Sequence, residues 1–258
     1  VGGDGCFLIA SDGRRILDGA AGAIVGNIGW GRTEVTDAAA AVMSTGYVVP
    51  LWPTPSRLAL LDELVQHWLP EGFNHVFFTS GGSESTDSAL RLARAYQVAK
   101  GRSSRWKVIG RHPSYHGMTT GTMAVASHSA RQKGYEPLLL PFPKVPWDDP
   151  EQVLKVIEQE DPATIAGFIV EPITGAAGAC LTASDEYWQV VTDACHEHDI
   201  LLIADEVMTG YGRTGLKFGH QHFPLVPDVI VGGKGLGGGY VPLGAVAARD
   251  EVAEALRH

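Results

Sequence analysis

A single lysine stands in a glycine-rich stretch near the end of the chain. Residues 228–239 read DVIVGGKGLGGG, so Lys234 has few neighbouring side chains. The stretch does not match a phosphate-binding P-loop, because Gly235 stands where Ser or Thr should follow the lysine. A lysine in a crowded crevice can have a depressed pKa and act as a nucleophilic amine that forms a Schiff base. Lys234 is therefore the first candidate for a reacting group.

Two acids end the nearly continuous apolar run ILLIADEV at residues 200–207. Asp205 follows Leu-Leu-Ile-Ala, so its carboxylate is expected at the edge of a low-dielectric region, where it needs a cation or hydrogen bonds. A protonated heterocyclic nitrogen would supply that cation. A structural ion pair or a helix cap is the simpler explanation for an isolated acid, and the residues alone leave both explanations open.

A third stretch, SGGSEST at residues 80–86, joins a strand-like run to a helix-like run. Its glycines let the backbone approach a ligand, and the start of a helix offers unpaired N–H groups and the positive end of the helix dipole. The stretch predicts either a phosphate-binding site or a capped helix after a tight turn. Two further predicted strand ends carry Tyr115 and Glu171, although a lone aromatic or acidic residue there more often belongs to the core.

The elements that must position these residues alternate along the sequence. Strands are predicted at 75–80, 106–112, 165–172, 200–207 and 228–233, and helices at 85–100, 149–160 and 184–199. Apolar strands separated by helices indicate an α/β fold with a mostly parallel sheet covered on both faces. Such sheets bind ligands at the carboxyl ends of their strands. A phosphate site, a flat ring, a buried acid and an amine together suit one small molecule, pyridoxal 5′-phosphate.

The first fifty residues have a different pattern. They predict a hairpin around Asp12 and Gly13, a helix over TEVTDAAAAVMSTG, and a loop containing Pro50, Pro53 and Pro55.

Composition excludes several classes of protein. The 258 residues are 45% hydrophobic and 19% charged, as is ordinary for a soluble globular protein, and the net charge of −9 argues against nucleic-acid binding. Three separated cysteines without a C-x-x-C motif fit a reducing compartment. No apolar run approaches the roughly 18 residues that span a bilayer. We expect a cytoplasmic protein that binds neither membrane nor nucleic acid.

Taken together, these stretches resemble the class III aminotransferases, the ω-aminotransferase-like branch of the fold-type-I pyridoxal-phosphate enzymes. The matching stretches cover most of residues 55–250: FFTSGGSESTDSALRLAR, YHG, IVEPITGAAG, LLIADEVMTGYGRTG and PDVIVGGKGLGGGYVPLGAV. The resemblance implies that residues 51–258 form the large, cofactor-binding domain. It also implies that residues 1–50 form an N-terminal segment on the side of the small domain and the dimer interface.

The resemblance implies two catalytic residues. Lys234 resembles the Schiff-base lysine, which also shuttles the proton between the substrate carbon and the cofactor. Asp205 resembles the acid that pairs with the ring nitrogen and keeps it protonated.

Five further residues resemble groups that surround the cofactor. Gly82 and Ser83 resemble the phosphate-binding pair. Tyr115 resembles the aromatic residue stacked on the pyridine ring, and Val207 the residue packed on its opposite face. Glu171 resembles an active-site acid near the substrate.

Some residues depart from the family pattern, among them Thr86, Met208 and Tyr211, without removing a chemical group that the mechanism requires. Gly233 stands where Ser or Ala usually precedes the lysine, which is expected to loosen the lysine slightly. Family members also continue well past the lysine, whereas 24 residues follow Lys234 here. We therefore expect a fragment that lacks the C-terminal small domain and a phosphate-binding Thr from a neighbouring subunit.

The implied activity is transfer of an amino group from an ω-amino acid, a diamine or an amine to a keto acid such as pyruvate or 2-oxoglutarate, in a homodimer or higher homo-oligomer. The ring-binding groups do not fix which substrate bond breaks. A pyridoxal-phosphate-dependent aminomutase or decarboxylase of the same fold is therefore an alternative, as is an inactive, non-catalytic fragment.

Overall fold

The computed structural model of the chain describes residues 2–47 and 52–257. Its first part contains a small antiparallel sheet of three strands, β1 (Gly2–Asp4), β2 (Phe7–Ile9) and β3 (Arg15–Leu17). β2 and β3 pair as a hairpin with Asp12 and Gly13 in its turn. The hairpin predicted from the sequence is confirmed.

Two helical segments follow the small sheet. The first, α1 (Ala21–Ile24), is short and contains non-helical backbone angles, whereas α2 (Thr33–Met43) confirms the helix predicted in this region. No residue of either segment is buried. Pro50 and the predicted domain boundary after residue 50 lie outside the described residues.

The prediction of a loop is wrong at Pro55. This residue begins α3 (Pro55–Glu63), which the Thr54 side chain caps. Proline suits the first turn of a helix, since an N–H group there would have no helical acceptor. A single π-helical turn, Leu64–Trp68, continues α3 toward the main sheet.

In the described part of the chain, the main sheet has seven strands in the order β4-β10-β9-β8-β7-β5-β6. Its strands are β4 (His75–Thr79), β5 (Lys107–His112), β6 (Lys144–Pro146), β7 (Ile165–Val170), β8 (Leu201–Asp205), β9 (Val229–Gly232) and β10 (Gly244–Ala248). β10 runs antiparallel to both of its neighbours, and the pairs from β9 to β6 are parallel. The mostly parallel sheet is confirmed.

Helices cover this sheet. They are α4 (Gly82–Ala99), α5 (Thr120–Val125), α6 (Ser129–Gln132), α7 (Pro150–Gln159), α8 (Asp185–Glu197) and α9 (Asp250–Glu254). Single 3-10 turns lie at Glu136–Leu138, Pro162–Thr164, Gly219–His222 and Lys234–Gly237. The three long predicted helices are confirmed, but α4 begins at Gly82, three residues before the predicted start.

The sheet is buried on both faces, which explains why its central strands are apolar throughout. Every residue of β7 and of β8 is buried. On one face the buried side chains of α7 and α8, such as Trp188, pack against alternate sheet residues such as Phe168. On the other face, small residues of α4, such as Ala93, pack against Ile203. None of the described helices has the length and hydropathy needed to cross a bilayer.

Candidate active site

A cavity of about 180 Å³ lies at the carboxyl ends of β4, β5, β7, β8 and β9. Its walls consist of Gly82, Ser83, Tyr115, His116, Gly117, Glu171, Ala176, Asp205, Val207, Met208 and Lys234. The structure thus brings all seven residues predicted from the sequence to one place. The sheet does this because parallel strands present their carboxyl ends at the same edge.

The start of α4 forms one wall of the cavity. A side-chain carbon added to Gly82 would lie 2.7 Å from the Val207 Cγ1 atom, so only glycine fits here without displacing that side chain. The Ser83 hydroxyl accepts the Met118 N–H group at 3.2 Å. The first N–H groups of a helix have no helical acceptors. This wall therefore offers hydrogen-bond donors and a positive dipole end to an anion.

Asp205 lies at the floor of the cavity and is almost fully buried. Its Oδ2 atom lies 2.7 Å from Nδ1 of His116, and its Oδ1 atom accepts the Val207 N–H group at 3.0 Å. The His116 side chain is completely buried, and its Nε2 atom has no partner in the described part of the chain. Each carboxylate oxygen is therefore oriented by one protein group.

Sequence reasoning did not assign a function to His116. Its only signal was its place in the YHG stretch, directly after Tyr115, because adjacent residues near a strand end can both reach the same ligand site. Its contact with Asp205 joins residues 89 positions apart, so local pattern could not show it.

The second acid of the pair, Glu206, faces away from the cavity. Its carboxylate accepts the N–H groups of Gly219 at 2.8 Å and of His220 at 2.7 Å, and it contacts Nδ1 of His220 at 2.8 Å. Glu206 directly follows β8, and its N–H group still donates to the Val231 carbonyl of β9 at 2.9 Å. Adjacent residues of such an extended chain point to opposite faces, which separates the two acids. Asp205 is thus available to a ligand, whereas Glu206 anchors the loop that follows it.

Glu171 lines the cavity but uses both carboxylate oxygens within the protein. Oε1 accepts the Tyr115 N–H group at 2.8 Å, and Oε2 accepts the Gly175 N–H group at 3.2 Å. Burial raises the pKa of Glu171; His116 opposes this increase and the negative charge of Asp205 adds to it. The side chain therefore holds two segments of the cavity wall in place.

Arg111 supports Glu171 from inside the core. Its Nη1 group donates to the Glu171 carbonyl at 2.8 Å, and its Nη2 group donates to the Trp147 carbonyl at 2.5 Å. The guanidinium lies 4.7 Å from the centre of the Trp188 ring. Desolvation lowers the pKa of this buried arginine. These contacts fix the end of β7, from which Glu171 projects.

The Tyr115 ring is held from outside the cavity. The guanidinium carbon of Arg131 lies 4.3 Å from the ring centre, and the His128 ring packs edge-on with its centre 6.4 Å away. Arg131 and His128 are absent from the cavity lining. The tyrosine ring can therefore offer its remaining surface to a flat ligand.

Lys234 begins a 3-10 turn that is separated from the end of β9 by one residue, and its backbone has a φ of +41°. The preceding Gly233 has an extended backbone, and a side-chain carbon there would lie 3.2 Å from the Gly82 Cα and N atoms. The lysine-bearing loop and the start of α4 thus meet backbone to backbone. The absence of a side chain at Gly233 allows the two backbones to come this close. This role is separate from the looser hold on Lys234 that the sequence suggests for a glycine at this position.

The groups around the cavity fit pyridoxal 5′-phosphate. A helix start at Gly82 suits its phosphate, the Tyr115 ring suits its pyridine ring, and the buried Asp205 carboxylate suits a protonated ring nitrogen. The amine of Lys234 lines the same cavity and suits its aldehyde. By contrast, the residues that the structure describes contain no group of three or more His, Cys, Asp or Glu side chains that could hold a metal ion.

Comparison with known proteins matches the whole chain to one family. The family model described as "Aminotransferase class-III" matches residues 1–258. Acetylornithine aminotransferase of Aquifex aeolicus is 39% identical over 98% of this chain and 65% of its own length. Putrescine–pyruvate aminotransferase of Pseudomonas aeruginosa is 36% identical over 98% of this chain and 59% of its own length.

Solved structures agree with this match. The (S)-enantioselective ω-transaminase from Thermomicrobium roseum has a TM-score of 0.93 and 36% identity, over 99% of this chain and 61% of its own. The amine transaminase of an uncultivated Pseudomonas species, in its pyridoxal-phosphate-bound form, has a TM-score of 0.93 and 30% identity over 99% of this chain and 62% of its own. The chain spans less than two thirds of the length of these relatives.

Proposed function

Because the chain belongs to the class III aminotransferases, we propose that it binds pyridoxal 5′-phosphate and transfers an amino group to a keto acid such as pyruvate or 2-oxoglutarate. The proposed donors are ω-amino acids, diamines and amines. Relatives named for putrescine–pyruvate and β-alanine–pyruvate transfer support this range. The observation that carries the proposal is the convergence of Lys234, Asp205, Tyr115 and the start of α4 on one cavity.

Five residues would hold the phosphate, the ring and the aldehyde of the cofactor. The Gly82 N–H group and the Ser83 side chain would bind its phosphate. The Tyr115 ring would cover one face of its pyridine ring and Val207 the other, and Lys234 would hold it covalently through Nζ. When bound, the cofactor withdraws electrons from the substrate carbon that carries the amino group.

Asp205 orients and stabilises the ring nitrogen. His116 and the Val207 N–H group fix the two carboxylate oxygens, so the acid cannot rotate away from the cavity. A hydrogen bond between a carboxylate and a cationic nitrogen is about twice as strong as one between neutral groups. Asp205 therefore favours the protonated ring, and His116 acts as a positioning residue for Asp205.

Lys234 moves the proton. Once the amino group of the substrate has replaced Nζ on the cofactor, the freed Nζ amine would take the proton from the substrate carbon as a general base and return it on the cofactor side as a general acid. We assign Glu171 a positioning role and not a part in this transfer, since its two oxygens accept the N–H groups of Tyr115 and Gly175, which belong to two segments of the cavity wall. Its proposed role is to hold Tyr115 and the Gly175 loop around the ring.

The test is an assay of the cofactor-loaded protein with putrescine, β-alanine and acetylornithine as donors and pyruvate as acceptor. We expect alanine to form with at least one donor, and none to form with a Lys234→Ala variant. Release of carbon dioxide without alanine would instead indicate a decarboxylase. Rearrangement of the donor without an acceptor would indicate an aminomutase.

The proposal also includes a homo-oligomer in the cytoplasm. In the described part of the N-terminal region, large apolar side chains are exposed, such as Met43 at 78% and Tyr47 at 85%. Exposed apolar side chains that lie together can mark a surface that another chain covers, and we propose this for the N-terminal region. Sedimentation velocity should therefore show a dimer or larger species, and a monomer at tens of micromolar would contradict this part of the proposal.

A further inference from the structure

The glycines after Lys234 are covered by a segment from the start of the chain. We call residues 25–32 the N-terminal brace and residues 234–240 the lysine turn. The two lie roughly 200 positions apart in the sequence, yet they contact each other at several points.

Three glycines of the lysine turn each adjoin a different side chain of the brace. A side-chain carbon at Gly238 would lie 3.0 Å from the Ile28 Cδ1 atom, and one at Gly239 would lie 3.1 Å from the Val25 Cγ2 atom. At Gly235 it would overlap the Asn27 amide. Their lack of side chains therefore allows the brace to pack directly on the backbone of the turn.

Hydrogen bonds fix the same contact at both ends. The Tyr240 hydroxyl donates to the Gly29 carbonyl and accepts the Arg32 N–H group, both at 2.8 Å. The Asn27 amide donates to the Tyr211 carbonyl at 3.3 Å, and its oxygen accepts a hydrogen bond from Arg213. The brace thus joins the lysine turn to the loop that follows Asp205.

Lys234 itself has an unfavourable backbone conformation. A non-glycine residue with a φ of +41° lies in a sparsely populated region, and such strain persists only when the surrounding structure determines it. We infer that the N-terminal brace holds Lys234 in this conformation, with Asn27 and Tyr240 as positioning residues. The inference rests on the proposed function, in which Lys234 carries the cofactor.

The test compares substitutions within the lysine turn. Gly235→Ala displaces the Asn27 amide, whereas Gly237→Ala is the matched control. A side-chain carbon at Gly237 meets its nearest neighbour, in Leu243, at an ordinary 3.4 Å, and neither glycine has a positive φ. Tyr240→Phe removes both hydrogen bonds of the hydroxyl without changing the ring.

Two measurements are made on each variant. Hydrogen exchange without cofactor reports the stability of residues 25–32 and 234–240, and visible absorbance reports the rate at which pyridoxal 5′-phosphate attaches to Lys234. Gly235→Ala and Tyr240→Phe should accelerate exchange in both segments, by roughly two- to tenfold for each hydrogen bond lost, and should slow attachment. Gly237→Ala should match the wild type, and exchange in β7 and β8 should be unchanged in every variant.

Wild-type exchange and attachment rates in Gly235→Ala and Tyr240→Phe would overturn the inference. Faster exchange throughout the sheet would also overturn it, because that result indicates a general loss of stability. If the cofactor never attaches to Lys234 of the wild type, the proposed function fails, while the exchange data still test the contact between the brace and the turn.

Discussion

Replacing Gly82 with alanine tests whether the start of α4 and Val207 together shape the cofactor site. The added carbon would lie 2.7 Å from Val207 Cγ1 and 3.2 Å from Cγ2, well inside contact distance. Because Val207 lines the cavity, its displacement would change the space proposed for the ring. Overpacking of this kind costs about 1–3 kcal/mol. If that cost falls on the bound state, the Kd for pyridoxal 5′-phosphate should rise roughly 5- to 150-fold.

The assay is equilibrium dialysis of the cofactor against each variant. Gly19→Ala is the control outside the site, because no atom lies within 4 Å of a side-chain carbon at that exposed position and its φ is not positive. Combining Gly82→Ala with Val207→Ala removes the clashing methyl groups, so the double variant should bind better than the two single effects predict. Equal affinities for Gly82→Ala, Gly19→Ala and the wild type would refute the placement of the cofactor against Gly82.

Further predictions concern the acid, its histidine and a buried lysine. Asp205→Asn should leave the cofactor bound but slow deuterium exchange at the substrate carbon, measured by NMR; unchanged exchange would show that the acid has another role. His116→Leu should slow the same exchange about tenfold or more, since hydrogen bonds to charged groups contribute roughly 1.5–3 kcal/mol, while His116→Asn, which keeps a donor, should slow it less. Equal rates in both histidine variants would contradict this role. Burial lowers the pKa of Lys144 from 10.5 to about 8. As the pH rises between these two values, the native state loses that proton before the unfolded state does. The free energy of unfolding of the wild type, relative to that of Lys144→Met, should therefore increase over this pH range. If denaturant titrations give the same difference in free energy of unfolding at every pH, the burial effect is contradicted.

The sequence predicts the central strands well, because burial on both faces leaves a continuous apolar pattern. It does not predict β10, whose sequence GAVAA has four small residues and only one β-branched residue. It also misses β6, which has only three residues and ends in proline. These strands form because they pair with strands that are far away in the sequence. Such pairing cannot be predicted from the local strand propensity of their residues.

The candidate site also contains features that the sequence predicts and features that it does not. Residues at strand ends, such as Lys234 and Asp205, can be found from the order of strands and the rule that ligands bind at carboxyl ends. The contacts that hold these residues in place cannot be found in this way. The bond between His116 and Asp205 and the packing of Asn27 on Gly235 depend on how distant segments meet. The opposite orientations of Asp205 and Glu206 likewise depend on their contacts with the distant residues His116 and Gly219.

Chemical trapping of the cofactor tests the central claim, that Lys234 is the amine which carries it. The protein is incubated with pyridoxal 5′-phosphate, reduced with borohydride and digested, and the labelled peptide is identified by mass spectrometry. The account predicts one pyridoxyl group on Lys234 and no stoichiometric label in Lys234→Ala. Label on Lys217 or Lys107 in place of Lys234 would contradict it.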